Sequence, residues 1–202
     1  MIVRHWMTTN VVTTHKEASI QEALALMKQH SIRHLPVVSK DQSLLGWVSD
    51  ADLRGVLVAS MLEELSLEDV MVRRPHLAFP EMRLEDVAHL ILERRIGGLP
   101  VVEDGRIIGI ITVVDILSAF ITMMGMLAHS SRLDVKISDP PRPLEKITRL
   151  IHNHHAEIIS ICHLPEMEKQ ANVYSIRLKK CDLEPIVADM ERDGIEVVDS
   201  IP

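Results

Sequence analysis

Leu35-Pro36-Val37-Val38 returns 64 residues later as Leu99-Pro100-Val101-Val102. The repetition extends outward from that tetrapeptide. Met7 recurs as Met71, and the apolar set Ile20, Ala23, Leu24, Met27 recurs as Leu84, Val87, Ala88, Ile91 at the same offset. Downstream, Gly46, Ser49 and Asp52 are matched by Gly109, Thr112 and Asp115, with the offset reduced to 63. A duplicated unit predicts two pseudo-equivalent halves packed together, with any site at their junction occurring in pairs.

Each copy reads as an extended lead-in, helix, strand, turn, strand and helix. Ile20, Ala23, Leu24 and Met27 follow i, i+3, i+4, i+7, one face of a helix. Ser19 with Glu22 three residues on predicts a capping box at its start. The helix ends near His30-Ser31, and Arg33 to Val38 is a buried strand. In the second copy Asp104-Gly105 is a two-residue hairpin signal between Leu99–Glu103 and Arg106–Thr112. The first copy uses Ser39 to Ser43 there, and the extra turn residue accounts for the shortened offset.

The chain has 202 residues, 47% hydrophobic and 25% charged, enough for a real core. A net charge of −7 without a basic run argues against nucleic acid as a partner. Cys162 and Cys181 are too few for a disulfide framework or zinc ribbon. Free thiols in a reducing cytoplasm fit them, a single bridge being the alternative. The first residues lack a signal-peptide pattern, and the apolar run Ile116 to Leu127 is well short of the ~20 residues a bilayer requires. A soluble cytoplasmic location, away from membranes, is therefore expected.

Two copies that each carry Leu-Pro-Val-Val and Gly-x-x-[Ser/Thr]-x-x-Asp resemble a tandem pair of CBS domains, a Bateman module, over roughly residues 1–127. The resemblance implies an α/β (α+β) fold in which two βαββα units, 1–63 and 64–127, pack as a pseudo-two-fold pair. It implies an adenosine-containing ligand in the clefts between them, of AMP, ADP, NAD or S-adenosylmethionine type, and no required cofactor. A carboxylate can accept from both hydroxyls of a ribose, which is the role implied for Asp52 and Asp115. Ser49 and Thr112, at helix starts, are placed to meet a phosphate. The glycine before each is expected to turn the chain without a side chain blocking the cleft. Adenine is implied to lie against Thr13, Ile32 and His34 in the first copy, and against Leu77, Ile96 and Gly98 in the second. Phosphate-binding members often carry Arg before the aspartate, where this chain has Ala51 and Val114. Arg33, His34 and Arg54 supply charge to the first cleft alone, so a lightly charged ligand is expected, with the first site the better for phosphate. The competing reading is that Asp52, Asp115, Ser49 and Thr112 only cap the helices they begin.

After Gly125 the repeat stops. Residues 130–202 read as β-α-β-β-α-β, a split βαβ, ferredoxin-like layout. Its strands fall at Ser130–Ser138, Glu157–Leu164, Asn172–Lys179 and Ile195–Val198. Its helices carry Leu144, Ile147, Ile151 and Leu183, Ile186, Val187, Met190. Two CBS copies followed by this unit resemble the CBS–ACT architecture of the acetoin utilisation protein B family. ACT domains usually bind an amino acid at a glycine-containing first loop. Here Asp139-Pro140-Pro141-Arg142-Pro143 lacks glycine and Pro143 offers no N–H, which favours dimerisation over amino-acid binding.

His152, His154 and His155 do not converge on one point of a helix, so no metal site is expected. Asp50-x-Asp52 lacks a third carboxylate, and the methionines 123, 124 and 126 suit an apolar helix contact better than copper. Gly-x-Ser-x-Gly, Walker-type loops and His-Glu-x-x-His are absent, so no catalytic residues and no enzyme activity are expected. The chain reads as a regulatory homodimer that senses an adenosine ligand and signals to an unidentified regulated protein. The alternatives are a ligand-independent scaffold and an amino-acid sensor.

Overall fold

The computed structural model describes residues 1–58, 65–126, 129–137, 142–164 and 172–202. The expected boundary at 63/64, residue 127 and the segment Asp139-Pro140-Pro141 lie outside them. The chain divides into two compact units, Met1–Leu117 and Ser118–Pro202.

In the first unit, copy one runs from a 3-10 turn Val3–His5 through α1 (Ile20–Gln29), β1 (His34–Val38) and β2 (Leu44–Ser49) to α2 (Asp50–Val56). Copy two runs through α3 (Leu67–Val70), α4 (Leu84–Arg94), β3 (Gly98–Glu103) and β4 (Arg106–Thr112) to α5 (Val113–Met123), within which the division between units falls. The Ser19–Glu22 box forms, with Glu22 N–H donating to Ser19 Oγ at 3.1 Å and Ser19 N–H to Glu22 Oε2 at 2.8 Å. Ile20, Ala23 and Met27 bury the predicted face of α1 against Leu35, Val37, Val48 and Leu53. Leu84, Val87 and Ile91 are buried likewise in α4.

β1–β2 and β3–β4 are antiparallel hairpins in matching register, Leu35 opposite Val48 and Leu99 opposite Ile111. Asp104 and Gly105 have φ of 50° and 77°, the backbone a two-residue turn demands. The prolines stand in strands because their carbonyls, rather than an N–H, meet the lead-ins. Thr14 N–H donates to Pro36 O and Ala78 N–H to Pro100 O, both at 3.0 Å.

The first part of each lead-in crosses to the other copy, while Thr14 and Ala78 further along pair within their own copy. Thr8 pairs with Ile110 of β4, with N–H to O distances of 2.9 Å both ways, and Val72 pairs with Trp47 of β2 at 2.9 and 3.0 Å. Leu67 and Met71 belong to the apolar core of copy one, and Val3 is wholly buried with its N–H on Met82 O at 3.0 Å. Arg4 bonds Glu81 at 2.8 Å and Glu103 at 2.9 Å, and Lys16 bonds Glu68 at 2.9 Å. Sequence duplication and packing therefore divide this unit differently.

Exchange also corrects the role expected of the two repeat glycines. Gly46 and Gly109 lie inside strands with ordinary φ, so neither turns the chain. A Cβ on Gly109 would sit 2.6 Å from Met7 Sδ, and one on Gly46 would overlap the Met71 side chain. Each glycine makes room for the methionine of the other copy's lead-in.

The second unit contains β5 (Ser130–Ile137), α6 (Arg142–Asn153), β6 (Ile158–Leu164), β7 (Asn172–Lys179), α7 (Glu184–Arg192) and β8 (Glu196–Ile201). Its antiparallel sheet has the order β6-β7-β5-β8. Ile147, Ile151, Ile186 and Met190 of the helices pack on Leu133, Val135, Ile176 and Leu178, so both helices cover one sheet face. Buried Ser131 donates to Cys181 O at 3.0 Å and accepts from Cys181 N–H at 3.1 Å. His154 meets Asp189 at 2.9 Å, tying α6 to α7, while His163 packs on Tyr174. Cys162 and Cys181 are free thiols.

Candidate functional site

Strand alternation decides which side chains reach the junction of the copies. Leu35, Val37 and Val48 face inward, which turns His34, Pro36, Trp47 and Ser49 to the opposite face. There a cleft of about 1550 Å³ opens between the copies. Nine of the expected residues line it: Ile32, Arg33, His34, Ser49, Asp52, Ile96, Gly98, Thr112 and Asp115.

Thr13 and Leu77 are not on its wall. Each directly precedes the lead-in residue that bridges to a strand, Thr14 to Val37 and Ala78 to Val101. The wall takes Val12 and His76, one position earlier in each lead-in, instead.

Ser49 and Thr112 are the residues before α2 and α5. Ser49 Oγ donates to Asp52 Oδ2 at 2.5 Å, Ser49 N–H donates to the same oxygen at 3.3 Å, and Asp52 N–H returns to Ser49 Oγ at 3.2 Å. Thr112 Oγ1 and N–H donate to Asp115 Oδ2 at 2.6 and 2.7 Å. The four residues do cap their helices, as the competing reading holds. The boxes fall on Oδ2 in both copies, however, and use two of the roughly four lone-pair positions of a carboxylate. Oδ1 accepts none of these bonds, so capping aims each carboxylate and leaves an oxygen for a ligand. The hydroxyl hydrogens are already committed. The first N–H of each helix is committed too, Asp50 to Arg33 O at 2.9 Å and Val113 to Gly97 O at 3.1 Å.

The halves of the cleft differ. His34 stacks on Trp47 with ring centroids 5.4 Å apart, where copy two has Gly98 and Ile110. The His34 ring lies against Gly97, whose added Cβ would be 2.7 Å from Nε2. Burial holds His34 below the ordinary imidazole range; the Asp52 carboxylate opposes that shift and Arg33 reinforces it. Arg54 bonds Asp50 at 2.8 Å and keeps its carboxyl low. Lys28, Arg74 and Arg95 also line the cleft, so positive charge is not confined to the first copy. Their counterparts in the repeat are Leu92, Asn10 and Ser31, and none of the three lies in a repeated motif.

The CBS domain family model matches residues 3–59 and 67–122. The chain belongs to the CBS domain family, as a tandem pair. The CBS pair of protein MJ0100, in complex with 5′-methylthioadenosine and S-adenosyl-L-methionine, is similar at 30% identity and TM-score 0.55, covering 59% of this chain and 95% of that one. CBSX2 in complex with AMP gives 30% identity and TM-score 0.55, covering 60% and 96%. A putative acetoin utilisation protein, AcuB, from Vibrio cholerae gives 31% and 0.58, covering 62% and 96%. Among sequences, protein MJ1225 of Methanocaldococcus jannaschii is 32% identical over 123 residues, 61% of this chain. This chain spans only 42% of that relative's length. These similarities concern the CBS module. Among the described residues no helix is long and apolar enough to cross a membrane.

Proposed function

We propose that this protein is a non-catalytic regulator whose CBS pair binds an adenosine-containing ligand. The observation that carries the reading is the pair of capping boxes that present Asp52 and Asp115 to one cleft with Oδ1 outside the box. A ribose diol donates to that oxygen, and Ile32 and Ile96 offer apolar surface for the base. The similar MJ0100 and CBSX2 pairs hold adenosine compounds, which supports the same class here. Regulation follows from differential affinity: a ligand that bridges both copies favours one packing of them and shifts the equilibrium a partner reads.

The second unit is read as an ACT-like domain, supported by its βαββαβ order and its antiparallel β6-β7-β5-β8 sheet; its role is dimerisation. Val113, Val114 and Leu117 of α5 are uncovered, Val114 at 72% exposure, which supports a homodimer contact on the CBS pair as well.

A thermal-shift series tests the reading. At 100 times its dissociation constant a ligand adds about 2.7 kcal/mol of stability. AMP, ADP, NAD or S-adenosylmethionine is expected to raise the melting temperature of the wild type and not of the Asp52→Ala, Asp115→Ala double variant. Amino acids alone raising it would favour the sensor alternative, and no response to either class would favour a scaffold.

A further inference from the structure

Crossing of the lead-ins divides the first unit into two lobes along a line the duplication does not mark. The core around α1, β1 and β2 draws every member from residues 12–57 and 65–71, so Leu67 and Met71 belong to the first lobe. Val3 and Arg4 are held by Met82, Pro80, Glu81 and Glu103, which places the start of the chain in the second lobe. The chain therefore passes between lobes twice, at Thr9–Val11 and at Arg73–Pro75. Each passage is fixed at both ends. Thr8 bonds Ile110 before the first and Thr14 bonds Pro36 and Val38 after it; Val72 bonds Trp47 before the second and Ala78 bonds Pro100 and Val102 after it. Between those points, among the described residues, the backbone makes no hydrogen bond to either lobe. The one bond there, Val11 N–H to Thr9 O at 2.9 Å, is local.

Both connectors line the cleft, and at matching positions: Asn10, Val11 and Val12 on one side, Arg74, Pro75 and His76 on the other. Elsewhere the lobes meet through contacts that a small rotation accommodates. The two hairpin turns bond through Leu44 N–H to Gly105 O and Ile107 N–H to Gln42 O, both at 3.4 Å and long for such bonds. His34 rests on the bare backbone of Gly97. Hinges are a few loop residues that absorb a change in φ and ψ while close-packed cores move as bodies. The connectors have that form.

We propose that the two connectors form a double hinge, and that a ligand seated in the cleft sets the angle between the lobes by touching both. A ligand shifts an equilibrium only by its differential affinity for the two states. A wall built from the hinge itself supplies that difference, because turning a connector moves the surface on which the ligand rests. The inference rests on the adenosine reading for the nature of the ligand and assigns the moving part. The two connectors are unequal. Pro75 fixes its own φ and holds Arg74 toward extended backbone, whereas the first connector has Val11 and Asn10 there. Bending is therefore taken up mainly at Thr9–Val11, with Pro75 limiting its range.

Pulsed electron resonance between two spin labels tests this in the full chain. Cys162→Ser and Cys181→Ser clear the background, and Gln29→Cys on α1 and Glu93→Cys on α4 place one label on an exposed position of each lobe. Dilution with unlabelled chain restricts the reading to pairs within one molecule. AMP, ATP or S-adenosylmethionine, whichever calorimetry shows to bind, is expected to shift the separation by about 2 Å or more, the scale of a rearrangement rather than a side-chain adjustment. Without ligand, Pro75→Gly is expected to broaden the distribution, since glycine frees the φ that proline holds. Two glycines inserted between Val58 and Leu65, at the boundary of the duplication, should leave it unchanged, because α2 and Leu67 share one lobe. A bound compound that leaves the separation unmoved overturns the inference. So does broadening from the insertion and not from Pro75→Gly. Binding by none of the compounds overturns the adenosine reading instead, and the comparison of the two ligand-free variants still decides the hinge.

Discussion

Gly46 and Gly109 look alike in sequence to any glycine that loosens a turn, and only packing shows why no side chain fits. Because the obstructing atoms belong to methionine, the conflict is open to a direct test. Gly46→Ala is expected to destabilise the protein by about 1–3 kcal/mol, the usual cost of overpacking. Adding Met71→Ala should cost less in that background than in the wild type, and a double-mutant cycle read by denaturant unfolding measures the coupling. Additive effects would contradict the contact. His34 makes a second prediction at this scale. Its folded-state pKa is depressed by burial, so its contribution is fully present above an ordinary imidazole pKa of about 6.5 and is lost as pH falls through the lowered value. Thermal melts of wild type and His34→Asn from pH 7.5 to 5 should therefore converge or cross toward the variant on the acid side. Parallel curves would show that His34 titrates unperturbed.

The elements were largely legible, and the exceptions share one cause. Periodicity located α1 and α4, alternation and Asp104-Gly105 located the hairpins, and Ser19 with Glu22 marked a helix start that the structure caps as expected. α3 and the 3-10 turn at Val3–His5 are too short to leave a periodic signal. Their burial comes from the other copy, which no local pattern encodes. Thr13 and Leu77, assigned to the cleft by resemblance, are absent from its lining, where Val12 and His76 stand. Arg74 and Arg95 lie outside the repeated motifs, and only the fold brings them to the cleft wall. Exchange of the lead-ins makes its own prediction. Leu67→Ala, a change in copy two by sequence, is expected to cost about 2–5 kcal/mol as a buried-core truncation. The loss should appear as faster amide exchange in α1 and β1 of copy one. Exchange that rises only in α4 and β3 would contradict the crossover.

Across the whole chain, the order of elements after Gly125 was readable because strands and helices there have clear alternation and amphipathic faces. The internal duplication explains why one cleft receives two carboxylates, and departures from the duplication explain its charge. A ligand gripped by both copies couples them, which is how a chain with no expected catalytic group can act. The most direct measurement is a crystal structure of the full chain grown with an adenosine nucleotide. Ribose hydroxyls are expected within hydrogen-bond distance of Asp52 or Asp115, in the cleft between the copies. A nucleotide bound elsewhere, with both carboxylates still engaged only by Ser49 and Thr112, would contradict it.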